Sequence, residues 1–220
     1  MILVPVKLLT DAKQRLSAIL SPEERLALAC AMCEDVLQTL ANWKKRPPIA
    51  VVTGDSFARD LAARFNFDTI TDDNSGETSA VAMATSACMA RGEQTTLVIP
   101  ADIPLIESAE LQKILDSAPP AGAVLVPDAA GRGTNAAWRS PCDLFPLRFG
   151  SDSFLPHLAA AKATGPSCVV LRLPGIERDV DRPEDLHELA AASGERRSQK
   201  LVRSWTFTNR KQVEDGVSQG

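Results

Sequence analysis

The stretch Thr95–Leu111, TTLVIPADIPLIESAEL, constrains the rest of the chain most. Leu97-Val98-Ile99-Pro100 is a short apolar run that ends in Ala101-Asp102, and Pro104 and a fresh helix signal follow at once. A continuous β-branched run reads as a strand buried on both faces, the habit of parallel sheets. Asp102 then stands where that strand leaves the sheet. In open α/β sheets ligands bind outside the carboxyl ends of the strands, so a carboxylate there is well placed for chemistry. The plainer reading has Asp102 capping a turn ahead of Pro104, since Asp is common in turns.

At 220 residues, with 45% hydrophobic and 24% charged content, the chain is expected to form one soluble domain with a proper core. A formal net charge of -4 argues against a polynucleotide-binding surface, yet leaves room for a small anion held by a local basic cluster. Met1–Val6 is too short for a signal peptide, Lys7 interrupts it, and no run approaches the roughly 18 apolar residues of a membrane span. Neither nucleic acid nor membrane is therefore an expected partner. Five cysteines, an odd number without regular spacing, suit a cytoplasmic location. Cys30 and Cys33 form a CxxC inside ALACAMCEDVLQTL, but a zinc site needs a second ligand pair, and two core cysteines on one helix are expected.

In chain order, Ile2–Val6 is the first buried strand, and Lys7, Lys13 and Arg15 follow within nine residues of its end. Such a cluster can neutralise and hydrogen-bond a polyphosphate, or can be an ordinary solvated loop. Ser21-Pro22-Glu23-Glu24 is a helix start with a capping box, and the helix should reach about Asn42. Strands are expected at Ile49–Thr53, Asp68–Thr71 and Leu97–Pro100, and helices at Ser56–Phe65, Thr78–Arg91 and Glu107–Asp116. Beyond Pro119-Pro120 the short units at Ala123–Pro127 and Ala136–Trp138, separated by Gly131–Asn135, suggest a β-rich insertion forming the acceptor side of a cleft. Ser153–Ala163 is a helix whose N-terminus can bind phosphate, or simply carry a common cap. Val169–Leu173 is expected to be a last core strand. Asp179 and Asp181 alternate on an extended segment, so both can face one way, and converging aspartates suit Mg2+ shared with substrate phosphates. The polar residues from 193 to 220, with an apolar pair at Trp205 and Phe207, are expected to be flexible or to dock on a partner subunit, as in a homodimer. The core domain is then 1–192.

Taken together, VPVK…AKQRLS, VIPADIPL, GRGTNA, FGSDSF and RDVDRPEDL resemble the guanylyltransferases of deazaflavin-coenzyme (F-420) biosynthesis, in motif order over roughly residues 1–190. Members of that family join GTP to 2-phospholactate, phosphoenolpyruvate or 3-phosphoglycerate. The resemblance implies an α/β fold: a Rossmann-like nucleotidyltransferase, three-layer sandwich with a mixed central sheet. It implies Mg2+ held by Asp102, Asp179 and Asp181, with Lys7, Lys13 and Arg15 facing the nucleotide phosphates and Asp102, Lys13 and Arg15 as the catalytic set. Gly76-Glu77-Thr78-Ser79 stands where relatives carry a base-facing Gly-Leu-Asn triplet, so Gly76 and Ser79 fall at the nucleotide. Thr134, Gly150 and Ser153 fall where the phosphorylated carboxylic acid is gripped. Arg182 replaces the usual Thr of Asp-x-Asp-Thr-Pro. Other nucleotidyltransferases (molybdenum cofactor, sugar phosphate), a glycosyltransferase and a non-catalytic nucleotide-binding domain share parts of this pattern. Phosphoryl chemistry asks for positioning and charge neutralisation, which a chain with only His157 and His187 can supply without a Ser–His–Asp arrangement. His157, one turn into its helix, can touch the acceptor or be purely structural.

Overall fold

The strand that begins the chain, β1 (Ile2–Val6), is buried at every residue and lies inside a seven-stranded sheet. The computed structural model describes residues 1–72, 76–150 and 152–205. Its other strands are β2 (Ile49–Thr53), β3 (Asp68–Ile70), β4 (Thr96–Val98), β5 (Gly122–Pro127), β6 (Thr134–Ser140) and β7 (Ser167–Val170). Their order across the sheet is β3-β2-β1-β4-β6-β5-β7. Only β6 runs antiparallel to its neighbours, so the sheet is mixed.

Alternation along the strands splits the core into two layers. Ile2, Val4 and Val6 point to one face, against α1 (Pro22–Asn42), α2 (Ser56–Arg64) and α4 (Ser108–Asp116). Met1 and Leu3 point to the other, against α3 (Glu77–Ala90) and α5 (Phe154–Ala163). Helices on both faces make the expected three-layer sandwich. A third cluster, built from Leu28 and Met32 of α1 and Leu16 and Leu20 of the loop before it, receives α6 (Pro183–Ala191) and α7 (Arg197–Ser204).

Local signals set the helix starts. Ser21 caps α1 with both bonds of its box: Glu24 N–H donates to Ser21 Oγ at 3.2 Å, and Ser21 N–H to Glu24 Oε2 at 2.8 Å. Cys33 of that helix is fully buried as a free thiol, and burial pushes its pKa up to about 12, so it packs as a small hydrophobe.

Four expectations change. The central strand stops at Val98, short of Pro100. Leu3 O accepts from Ile99 N–H at 3.0 Å, so Leu3 turns its polar backbone groups towards β4. Pro5 has the same parity but no N–H to donate, and the β1–β4 ladder ends at the Leu3–Val98 pair. The two strands part there, at the point where strand order reverses, which opens a crevice. Next, β5 and β6 are no insertion: β6 is wedged between β4 and β5 in the main sheet. The last strand is β7, pairing with β5 alone at the sheet's rim, and its side chains are half exposed or exposed where a core strand was expected. Finally, part of the expected polar tail is a docked helix. Asp35 of α1, buried, accepts from Arg197 N–H (3.0 Å), Ser198 N–H (2.9 Å) and Ser198 Oγ (2.6 Å), so a side chain 162 residues away caps α7. Trp205 packs on the third cluster, while Phe207 lies outside the described residues.

This cap is testable. Asp35→Ala leaves first-turn amides of α7 without their partner and should lower unfolding stability by about 1–3 kcal/mol. The loss should show as a lower denaturant midpoint together with faster amide exchange over 197–204.

Candidate active site

The crevice beside β1 is furnished by three distant segments. The first is the loop after β1. Asp55 pins it: its Oδ2 accepts from Leu9 N–H at 3.1 Å while Oδ1 caps α2 through Ala58 N–H at 3.1 Å. Two short 3-10 turns, Leu9–Asp11 and Gln14–Leu16, flank Lys13, whose φ of 56° and ψ of 36° are left-handed. That conformation costs about 1 kcal/mol or more in a non-glycine residue, so the surroundings must compensate. The second segment is the turn after β4 that bears Asp102. The third is the extended stretch 179–181, tied to the second by a bond from Val180 N–H to Asp102 O at 3.1 Å.

Lys13 joins all three. Its Nζ donates to Asp102 Oδ2 at 2.7 Å and to Asp181 Oδ1 at 2.8 Å. The lysine side chain is only 6% exposed, against 34% and 33% for the two carboxylates. Burial works to lower its pKa, but the charges of Asp102 and Asp181 outweigh it and hold the ammonium well above the usual range. Arg15 reaches Asp181 Oδ2 at 3.1 Å from the exposed side. Asp179 is tethered separately, accepting from Asn135 Nδ2 at 3.1 Å. Its carboxyl is pushed up to about 6, by burial first and then by the nearby charge of Asp102. The expected trio of aspartates is therefore a Lys13-bridged pair with Asp179 beside it. Among the described residues, no three or more Asp, Glu, His or Cys side chains already stand together as a metal cage.

The opposite wall comes from β6 and the start of α5. Asp128 holds the glycine turn, accepting from Arg132 N–H (2.7 Å) and Gly133 N–H (2.8 Å). A Cβ on Gly133 would come within 2.9 Å of the same carboxylate, so any side chain there would push Asp128 off the amides it holds. Thr134 and Ser153 meet: Thr134 N–H donates to Ser153 Oγ at 3.1 Å, and the two hydroxyls lie 3.4 Å apart. Beneath them His157, buried, places Nδ1 2.9 Å from Thr134 Oγ1 and accepts from Arg148 N–H on Nε2 at 2.8 Å. Burial, then the Arg139 guanidinium, push this imidazole down to about 4, so it is neutral near pH 7.

Between the two walls lies a cleft of about 490 Å³, lined by Lys7, Arg15, Asp102, Thr134, Gly150 and Ser153 among others. That volume is within the range of small-ligand and cofactor sites. A smaller hollow of about 330 Å³ adjoins it past Lys13. Of the residues expected at the nucleotide, Gly76 and Ser79 do not line either space. Glu77 between them lines both, and forms an ion pair with Lys7 at 3.2 Å. Burial raises the Glu77 carboxyl. Neither the Lys7 partner of Glu77, the Asp179 partner of Asn135 nor the Thr134 and Arg148 partners of His157 is among the expectations from the sequence. Their chemistry lies in partners far along the chain, and no local motif signals it.

A wall of cations and carboxylates facing a wall of hydroxyls and glycine amides can hold a polyanion against a second small anion. The comparisons with known proteins bear on what such a site serves. Over residues 1–216 the chain matches the family described as guanylyl transferase CofC like. It is 34% identical over 187 residues to the phosphoenolpyruvate guanylyltransferase of Sphaerobacter thermophilus, covering 85% of this chain and 90% of that one. It is 32% identical over 192 residues to the 3-phospho-D-glycerate guanylyltransferase of Colwellia psychrerythraea, covering 87% and 91%. Among solved structures it is similar to a Desulfovibrio desulfuricans protein proposed to be a nucleotide-diphospho-sugar transferase, at TM-score 0.74 and 21% identity over 92% of this chain and 93% of that one. It is also similar to a 4-diphosphocytidyl-2C-methyl-D-erythritol synthase, at TM-score 0.56 and 15% identity over 86% and 95%. These last two speak to the fold, a Rossmann-like nucleotidyltransferase architecture. The match along nearly its whole length makes the chain a member of the CofC-like guanylyl transferase family.

Proposed function

We propose that this protein transfers the guanylyl group of GTP to the phosphate of a small three-carbon acid, phosphoenolpyruvate, 3-phosphoglycerate or 2-phospholactate, within F-420 biosynthesis. A phosphate oxygen of the acceptor attacks the α-phosphorus of GTP, the bond to the bridging oxygen of the β-phosphate breaks, and pyrophosphate leaves. What carries this reading is the ammonium of Lys13 bonded to both Asp102 and Asp181 at the edge of a cleft whose far wall offers Thr134 and Ser153. Family membership supports the donor, and the names of the two relatives support the acceptor class.

The acceptor phosphate is largely ionised at pH 7, its second pKa being about 6, so the step needs no general base. The protein's task is alignment and charge control. Lys7, Lys13 and Arg15 lie towards the triphosphate on this reading, where cations offset charge building on the departing pyrophosphate. Thr134, the amide of Gly150 and Ser153 hold the acceptor's anionic groups, and α5 adds its N-terminal dipole behind them. Of the residues at the start of α3, Glu77 is the one that lines the cleft, so on this reading it stands nearer the nucleotide than Gly76 or Ser79.

The donor set fits a divalent cation of the Mg2+ kind. Asp102 and Asp181 are hard oxygen donors at the cleft, already gathered around a positive charge, and the Asp179 carboxyl, raised by burial and then by the charge of Asp102, lies close enough to feel them. Asp102, Asp181 and Asp179 would hold it together with triphosphate oxygens. Bound there, it supplies charge neutralisation for the triphosphate. All five cysteines are free thiols, which supports work in the cytoplasm, and no helix among the described residues is long and apolar enough to cross a membrane. A homodimer remains part of the proposal.

Three outcomes test this. Asp102→Asn keeps the shape of the turn but removes a charge, and pyrophosphate release at saturating Mg2+ should fall on the order of 10³-fold. A mutant of near-normal rate would remove Asp102 from the mechanism. With wild-type protein, GTP should be used in preference to ATP, CTP and UTP, because a site that bonds a base edge leaves buried polar groups unpaired with the wrong base. Equal turnover of another nucleotide would contradict that. Ser153→Ala should raise the KM of the acid at saturating GTP while leaving the KM of GTP nearly unchanged. A loss confined to thermal stability would leave Ser153 only a structural role, through its bond from Thr134 N–H.

A further inference from the structure

The hydroxyl of Thr134 has two neighbours, His157 Nδ1 and Ser153 Oγ, and a third group, the Arg148 amide, fixes the role of the first. Arg148 N–H is a backbone donor, and it points at Nε2 of His157 from 2.8 Å. Nε2 must therefore carry a lone pair. A neutral imidazole has one N–H and one bare nitrogen, so its proton is on Nδ1. Nδ1 lies 2.9 Å from Thr134 Oγ1, and an N–H there can only donate. Thr134 Oγ1 is thus an acceptor towards His157, and its own proton is free to be directed elsewhere. Ser153 Oγ donates its own proton to that oxygen at 3.4 Å and accepts from Thr134 N–H at 3.1 Å, so the serine too leaves the threonine proton unclaimed. The remaining direction is the cleft, which Thr134 and Ser153 both line.

We propose that His157 is a positioning residue for the acceptor acid: by donating from Nδ1 it turns the Thr134 hydroxyl proton outward, as a hydrogen-bond donor to the acid's anionic group. This rests on the guanylyl-transfer reading above. With the other tautomer, Thr134 would donate inward to the ring and present oxygen lone pairs to an anion, which is repulsive. The site is built to prevent that exchange. His157 is 2% exposed, its ring lies 5.6 Å from that of Phe149 and 6.3 Å from that of Phe145, and its low pKa keeps it neutral. A neutral, buried ring fixes a proton's direction without adding a charge that would need its own partner.

The test uses the full chain, GTP, and phosphoenolpyruvate and 3-phosphoglycerate as separate acceptor probes, with pyrophosphate release and calorimetric binding of each acid as readouts. In His157→Gln the amide oxygen can still accept from Arg148 N–H, but nothing donates at the Nδ1 position. The KM of the better acid should rise about tenfold, one hydrogen bond to a charged group, while the KM of GTP stays within about twofold. His157→Asn places an amide N–H where Nδ1 stood and should keep the acid's KM within about threefold of wild type. In a Thr134→Val background, His157→Gln should add nothing further to the acid's KM, because the group through which it acts is gone. An unchanged KM in His157→Gln, or an equal rise with and without Thr134, would overturn the proposal and leave His157 as packing. Calorimetry separates this from the parent reading. Wild-type protein that binds the acids without releasing pyrophosphate contradicts guanylyl transfer while the His157 comparison still reads in Kd, and wild-type protein that binds neither acid overturns both.

Discussion

The ammonium of Lys13 between Asp102 and Asp181 is the contact on which the site depends. It ties the loop after β1, the turn after β4 and the extended stretch before α6, three segments with no neighbouring positions in the chain. Burying an ammonium is costly, and a buried ion pair is weak support for stability by itself. Here the two carboxylates stay about one-third exposed, so desolvation falls mainly on the lysine. The left-handed backbone at Lys13 adds to the cost, and Asp55, bonded to Leu9 N–H, holds the loop in that conformation. Strain and desolvation are thus gathered in one residue, and the ion pairs to Asp102 and Asp181 offset them.

The cleft exists because the sheet fails to close at one place. Pro5 interrupts the β1–β4 ladder after Leu3, and the chain departs from β4 at Val98. On the far side, β6 enters antiparallel between β4 and β5 and carries Thr134 and Asn135 to the same end of the sheet as Asp102. One wall thus derives from parallel strands and the loops that follow them. The other derives from the single reversed strand. Asn135 links them, bonding Ile176 O at 3.0 Å and Asp179 Oδ1 at 3.1 Å. The two walls differ in chemistry: paired charges on one side, neutral hydrogen-bonding groups on the other.

The neutral side is arranged as carefully as the charged one. Ser153, Thr134 and His157 form a short chain of hydrogen bonds ending on the Arg148 amide, and the glycine turn held by Asp128 leads straight into it. Glu77, paired with Lys7 in the same cleft, shows that even the cationic side is balanced before any ligand arrives.

What could be read from the sequence was whatever depends on near neighbours. Ser21 and Glu24 cap α1 because both partners lie within one turn, and Ile49–Thr53 is a strand because its own side chains are apolar and β-branched. Asp102 was legible for the same reason: a buried run followed by a turn marks the end of a strand, wherever that strand lies. Motif order added the family, and with it Thr134, Gly150 and Ser153, which the structure brings to one wall of the cleft. Tertiary structure alone decided what depends on partners far apart. It made β7 an edge strand, brought Asp35 to the start of α7, buried Lys13 between two aspartates while tethering Asp179 to Asn135, and chose the tautomer of His157. The physical reason is the range of the interactions. Periodicity and capping act over one helical turn or one strand, whereas desolvation and hydrogen-bond direction are set by whichever groups the completed fold brings within about 3 Å.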